Sequence, residues 1–89
     1  MREQTLQITN KIGLHARPAA LLVKTAAAFK SDIALVKGDK NVSAKSMLAV
    51  MSAGIKAGDT ITVRAMGEDE DEALAAVAAL IEADFHEGR

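Results

Sequence analysis

The stretch Gly13-Leu14-His15-Ala16-Arg17-Pro18-Ala19-Ala20 holds the residues of this chain best suited to chemistry. A histidine is followed two residues later by an arginine, and then by the single proline of the sequence. Proline has no N–H and belongs in the first turn of a helix, which sets a helix start near His15 or Ala16. The first backbone N–H groups of a helix have no partner inside it and carry partial positive charge, so they attract anions. A guanidinium adds forked donors matched to phosphate oxygens. An imidazole nitrogen at that place can attack phosphorus, and the group it gains is met by donors already aimed at its oxygens. Phosphoryl transfer is governed by positioning and charge stabilisation, which such a frame supplies. Imidazole also suits a carrier: it keeps a neutral, nucleophilic nitrogen at cell pH, and its phosphoramidate is labile enough to be handed on. A plainer reading competes, in which His15 only caps a helix and Pro18 only marks its first turn. The triplet His-x-Arg does not choose between them.

The elements that must position this stretch follow from periodicity. Glu3–Thr9 alternates, with Leu6 and Ile8 on one face, and reads as a half-buried strand. Asn10–Leu14 is a loop. From Ala16 to about Phe29 the apolar spacing is helical, with Ala19, Leu22, Val23, Ala26 and Phe29 on one stripe. Asp32–Lys37 and Lys40–Ser43 form a hairpin turning at Gly38-Asp39. Ser46 N-caps a short helix to about Ser52, with Met47, Val50 and Met51 as its apolar side. Met47, Leu48 and Met51 cannot all face inward on so short a helix, so at least one is expected to be exposed, with Leu48 and Met47 favoured. Thr60–Met66 alternates, with Ile61, Val63 and Ala65 inward. The acidic run Glu68–Glu72 opens a last helix as a solvated start complementing the helix dipole; its buried stripe is Leu74, Val77, Ala78, Ile81 and Phe85. Asp84–Arg89 is a polar tail containing His86. An α+β domain follows, a mostly antiparallel four-stranded sheet with three helices on one face and one core. The order of the strands stays open at this point.

Composition narrows the function. Eighty-nine residues allow one domain, 1–89. With no cysteine, disulfides and thiolate metal sites are excluded, and a reducing cytoplasm fits. No apolar run reaches membrane-span length, and the polar, alternating Met1–Asn10 does not read as a leader. Phe29 and Phe85 are the only aromatics, which argues against single-stranded nucleic acid and RNA-binding modules. The net charge of −1 hides an asymmetry: residues 1–67 carry ten Lys or Arg against four Asp or Glu, and residues 68–89 carry one against eight. The larger part offers a mildly basic surface to an acidic partner. There is no nucleotide loop and no acid/base pair around His15, so a free-standing enzyme is not expected. No cofactor or metal is called for.

The chain resembles the HPr family, the histidine-containing phosphocarriers of the bacterial phosphoenolpyruvate-dependent sugar phosphotransferase system. The resemblance rests on Gly13–Ala19, on Ala44-Lys45-Ser46-Met47-Leu48-Ala49-Val50-Met51 and on the Gly67-Glu68-Asp69-Glu70 turn, and it spans essentially the whole chain. It implies an open-faced β-sandwich, βαββαβα, with strands ordered first, fourth, second, third. It implies that His15 is phosphorylated on Nδ1 by enzyme I and donates to IIA domains of sugar permeases. By the same resemblance Arg17 pairs with the phosphoryl group, and the amides of Ala16 and Arg17 hold its oxygens. Ser46 resembles a regulatory site of an HPr kinase/phosphorylase. Ala20, Leu21, Met47, Leu48 and Met51 fall on the family's partner surface. A cytoplasmic monomer that visits several proteins is expected, with no nucleic acid partner and no membrane insertion.

Ile12 departs from the family pattern, which often has a small polar residue there. Ile8–Gly13 and Glu72–Val77 also resemble NPr, the nitrogen-related paralogue, which uses the same histidine in a regulatory phosphorelay. The presence of His15 sets aside related regulators that lack it.

Overall fold

The computed structural model describes residues 1–86. The elements in chain order are β1 (Arg2–Gln7), α1 (Ala16–Ala27), β2 (Asp32–Lys37), β3 (Lys40–Ser43), α2 (Met47–Ser52), β4 (Thr60–Met66) and α3 (Glu70–Glu82), closed by a short turn at Asp84–His86. The sheet is antiparallel with order β1-β4-β2-β3, as the family resemblance implies. Its register brings the apolar members of each alternation together: Leu6 opposes Ile61, Leu35 opposes Val63 and Ile33 opposes Ala65. These side chains meet Leu22, Ala26, Val50, Val77 and Ile81 from the helices in one buried cluster. A period of two on the strands and of 3.6 on the helices turns both kinds of element toward the same interior.

Three element ends differ from the sequence reading, each for a local reason. The β1 ladder stops at Gln7, not Thr9. Ile8 stays buried, but its N–H and carbonyl bond Asp59 and Gly58, which already belong to a turn. Helix α1 ends at Ala27 because Ala28 and Phe29 donate to Thr25 and Ala26, three residues back. That tightening lifts Phe29 off the helix while leaving it packed on the core. Helix α3 ends at Glu82, and Phe85 is buried without belonging to it. Asp84, Phe85 and His86 all have left-handed backbone angles (φ 54°, 55° and 62°), which fold the chain back so that Phe85 enters the core. The expected polar tail is therefore partly structural. Asp84 is buried and accepts a hydrogen bond from the Thr9 hydroxyl. The remainder of that tail, 87–89, lies outside the described residues.

The acidic run is also more than a solvated helix start. Asp69, the N-cap of α3, reaches across to the α1–β2 connection. It accepts from the N–H groups of Lys30 and Ser31, both at 2.9 Å, and from the Ser31 hydroxyl at 2.5 Å. The Ser31 hydroxyl and these amides hold its carboxyl down at about 2. Glu70 accepts from the Gly67 N–H at 3.1 Å and pairs with the Met1 amine at 3.1 Å, which together lower its pKa.

Candidate functional site

The sequence places His15 where the loop from β1 becomes α1, and the structure makes it the N-cap residue. Its backbone is extended (φ −77°, ψ −173°), and its side chain makes no capping bond to the helix. The plain capping role is therefore unfilled. The His15 N–H donates to the Gly13 carbonyl and the Ala19 N–H donates to the His15 carbonyl, each at 3.0 Å. Pro18 brings no donor and is buried. The N–H groups of Ala16 and Arg17, both exposed residues, open the first turn and have no partner within the helix. The half-buried His15 is thus followed directly by two exposed residues whose N–H groups open the helix, the second of them an arginine, and a helix start of this kind attracts anions.

The frame is fixed from behind. Gly13 has φ +80°, and a Cβ there would lie 2.7 Å from the Ala57 nitrogen and 2.8 Å from the Lys56 backbone. Only glycine lets the two strands of chain approach so closely. The buried Leu14 side chain anchors the next residue in the core. The opposing loop is itself tied down. Asp59 accepts from the Lys37 ammonium at 2.8 Å and from the Lys56 N–H at 2.7 Å, and these bonds lower its pKa. The same ammonium donates to the Gly54 carbonyl at 3.0 Å.

Arg17, Ala20, Leu21 and Lys24 on α1 line a hollow of about 460 Å³ with Phe85 and His86. The structure thus joins Arg17 to Ala20 and Leu21, and to Lys24 and His86, a grouping that the sequence reading did not make. His86 is solvent-exposed, as its place in the sequence suggested. Its position beside Arg17 depends on the left-handed turn, for which no glycine or asparagine signals in the sequence.

Helix α2 packs against α1 and carries the other predicted residues. The Ser46 Oγ accepts from the Ala49 N–H at 3.2 Å, the N-cap bond expected of it. The apolar residues divide differently from the expectation. Met47 shares the inner side with Val50, three residues on, and packs on the core. Leu48 and Met51, also three apart, face outward and are 78% and 41% exposed. Ile12 is exposed as well.

Comparison with known proteins shows the family. The sequence model described as the PTS HPr component phosphorylation site matches residues 2–83. The chain belongs to the HPr family. The crystal structure of HPr-C-His from Thermoanaerobacter tengcongensis superposes with a TM-score of 0.97 at 48% identity, covering 100% of both chains. HPr-like protein Crh of Bacillus subtilis is 45% identical over 82 residues, 92% of this chain and 96% of that one. Phosphocarrier protein NPr of Shewanella violacea is 42% identical over 85 residues, covering 96% of this chain and 93% of its own. As a member of the HPr family the chain is a phosphocarrier of the phosphotransferase-system type. No helix among the described residues is long and apolar enough to cross a membrane.

Proposed function

We propose that this chain acts as a single HPr unit, residues 1–89, and a stoichiometric carrier in the cytoplasm. His15 accepts a phosphoryl group from enzyme I charged by phosphoenolpyruvate and passes it to IIA domains of sugar permeases. The observation that carries this reading is the place of His15 as the N-cap residue of α1, directly before the exposed Ala16 and Arg17, whose N–H groups open the helix. In the step, the Nδ1 lone pair attacks phosphorus. An N–P bond forms as the bond from phosphorus to the donor breaks, and the donor keeps that electron pair. Transfer onward reverses the roles, and the imidazole recovers its lone pair. The Ala16 and Arg17 amides and the Arg17 guanidinium meet the oxygens while charge redistributes. Enzyme I and the acceptor bring the remaining catalytic groups, so the chain needs no cofactor.

Leu48 and Met51, with Ala20, Leu21 and the half-buried Met47, form the partner surface, on which methionine can repack against different proteins. Ser46 is the regulatory position, the substrate of an HPr kinase/phosphorylase. A phosphate there would add charge on the face that receives acidic partners and so slow their docking. The chain works as a monomer.

The NPr relative supports a second reading, in which the same His15 serves a nitrogen-related relay. The two readings differ only in acceptor. Radiolabelled phospho-protein offered sugar-type and nitrogen-type IIA proteins side by side decides between them. Arg17→Gly should slow both transfers while circular dichroism stays unchanged; an unfolded variant would make Arg17 structural. Ser46→Asp should take phosphate from enzyme I more slowly, and an equal rate would count against regulation.

A further inference from the structure

We infer that Asn10 is a positioning residue for the phosphoryl-accepting loop, its side-chain amide holding the Gly13 carbonyl from which His15 is hung. Asn10 is 1% exposed, and its Nδ2 donates to the Gly13 carbonyl oxygen at 2.8 Å. The His15 backbone N–H donates to the same oxygen at 3.0 Å. One carbonyl therefore joins the start of the loop to the acceptor residue. Gly13 has little room on the other side, because even an added Cβ would lie 2.7–2.8 Å from the Lys56 and Ala57 backbone. The residue before Asn10 is fixed as well, through the Thr9 hydroxyl on the Asp84 carboxylate.

Burying an amide is unfavourable unless it is hydrogen-bonded, and an apolar side chain would fill the same space without that cost. The bond to Gly13 gives the buried amide a partner for its Nδ2, and it joins Asn10 to the carbonyl that His15 also bonds. Group transfer is sensitive to such placement, since a displacement on the order of 1 Å can slow a reaction about a hundredfold. The inference rests on His15 being the phosphoryl acceptor.

The test compares Asn10→Ala and Asn10→Asp with the unaltered chain in single-turnover phosphorylation by enzyme I and phosphoenolpyruvate. The temperature is chosen from unfolding curves so that all three are folded. Asn10→Ala should lower the rate at saturating enzyme I by about tenfold, with the half-saturating concentration unchanged. Asn10→Asp should lower it further, because a carboxylate then faces the Gly13 carbonyl. Rates near that of the unaltered chain, or a change confined to half-saturation, overturn the inference and leave the role of His15 standing. Absence of phosphorylation in the unaltered chain overturns both. If the variants do not fold, NMR of the unaltered chain serves instead. The Asn10 side-chain amide protons should exchange with solvent more slowly than those of an exposed amide, and their resonances should shift when His15 is phosphorylated. Exchange at the exposed rate, or unmoved resonances, overturns the inference.

Discussion

The Leu14 backbone N–H donates to the Ile55 carbonyl at 3.1 Å, so the segment carrying His15 is held by the loop after α2 as well as by its own helix. The two loops are far apart in sequence and touch because β1 and β4 are neighbours in the sheet. A helix N-terminus alone would attract an anion. Fastened to a second loop, the head of α1 is held by backbone bonds from two sides, the kind of fixed positioning on which phosphoryl transfer depends.

Gly13→Ala tests that fastening. The added Cβ would meet backbone atoms at 2.7–2.8 Å in a left-handed conformation. The variant should lose about 1–3 kcal/mol of stability in urea unfolding and take phosphate from enzyme I more slowly. Unchanged stability and rate would show that the loops need no close contact.

Asp69→Asn tests the link between α3 and the α1–β2 connection. The Asp69 carboxyl lies at about 2, below its ordinary 3.8. A depressed carboxylate contributes stability that is present above the ordinary value and lost as pH falls from 3.8 toward 2. The parent should therefore show a fall in its urea midpoint over that window, and Asp69→Asn should be less stable at neutral pH with a shallower acid fall. Equal slopes for the two proteins would contradict the assignment.

Leu48→Asp tests the outward face of α2. At 78% exposure the side chain contributes little to the core, so the thermal midpoint should hold within a few degrees, a change of about 0.5 kcal/mol or less. Transfer from enzyme I should slow through weaker docking, read as a higher half-saturating concentration. A transfer rate equal to the parent's would remove Leu48 from the partner surface.

Phe85→Ala tests whether the turn after α3 belongs to the fold. Phe85 is 1% exposed, and its loss should cost about 3–5 kcal/mol in chemical unfolding. A loss below about 1 kcal/mol would return it to a dispensable tail.

Much of this was legible in the sequence, because period and punctuation fix local structure. The alternation of Thr60–Met66, the Gly38-Asp39 turn, Pro18 and the Ser46 cap each mark an element boundary on their own. The N-cap position of His15 was legible for the same reason. The strand order was not, since alternation gives each strand a buried face but no neighbour; the family resemblance supplied it. Asp69 and Asp84 were misread because a carboxylate in an acidic run looks solvated until the fold brings Ser31 or Thr9 to it. Phe85 fell on the α3 stripe by spacing, yet reaches the core through a left-handed backbone that a phenylalanine rarely adopts. The Asn10 bond spans only three residues, but its meaning depends on Gly13 being wedged against a loop more than forty positions away.

The most direct test of the central claim is intact and tandem mass spectrometry of the chain after incubation with enzyme I and phosphoenolpyruvate. The account predicts one phosphoryl group, on His15, stable in base and lost in acid, and none on His15→Ala. A His15→Ala protein that still takes up the group, or a label on the parent that survives acid, would contradict it.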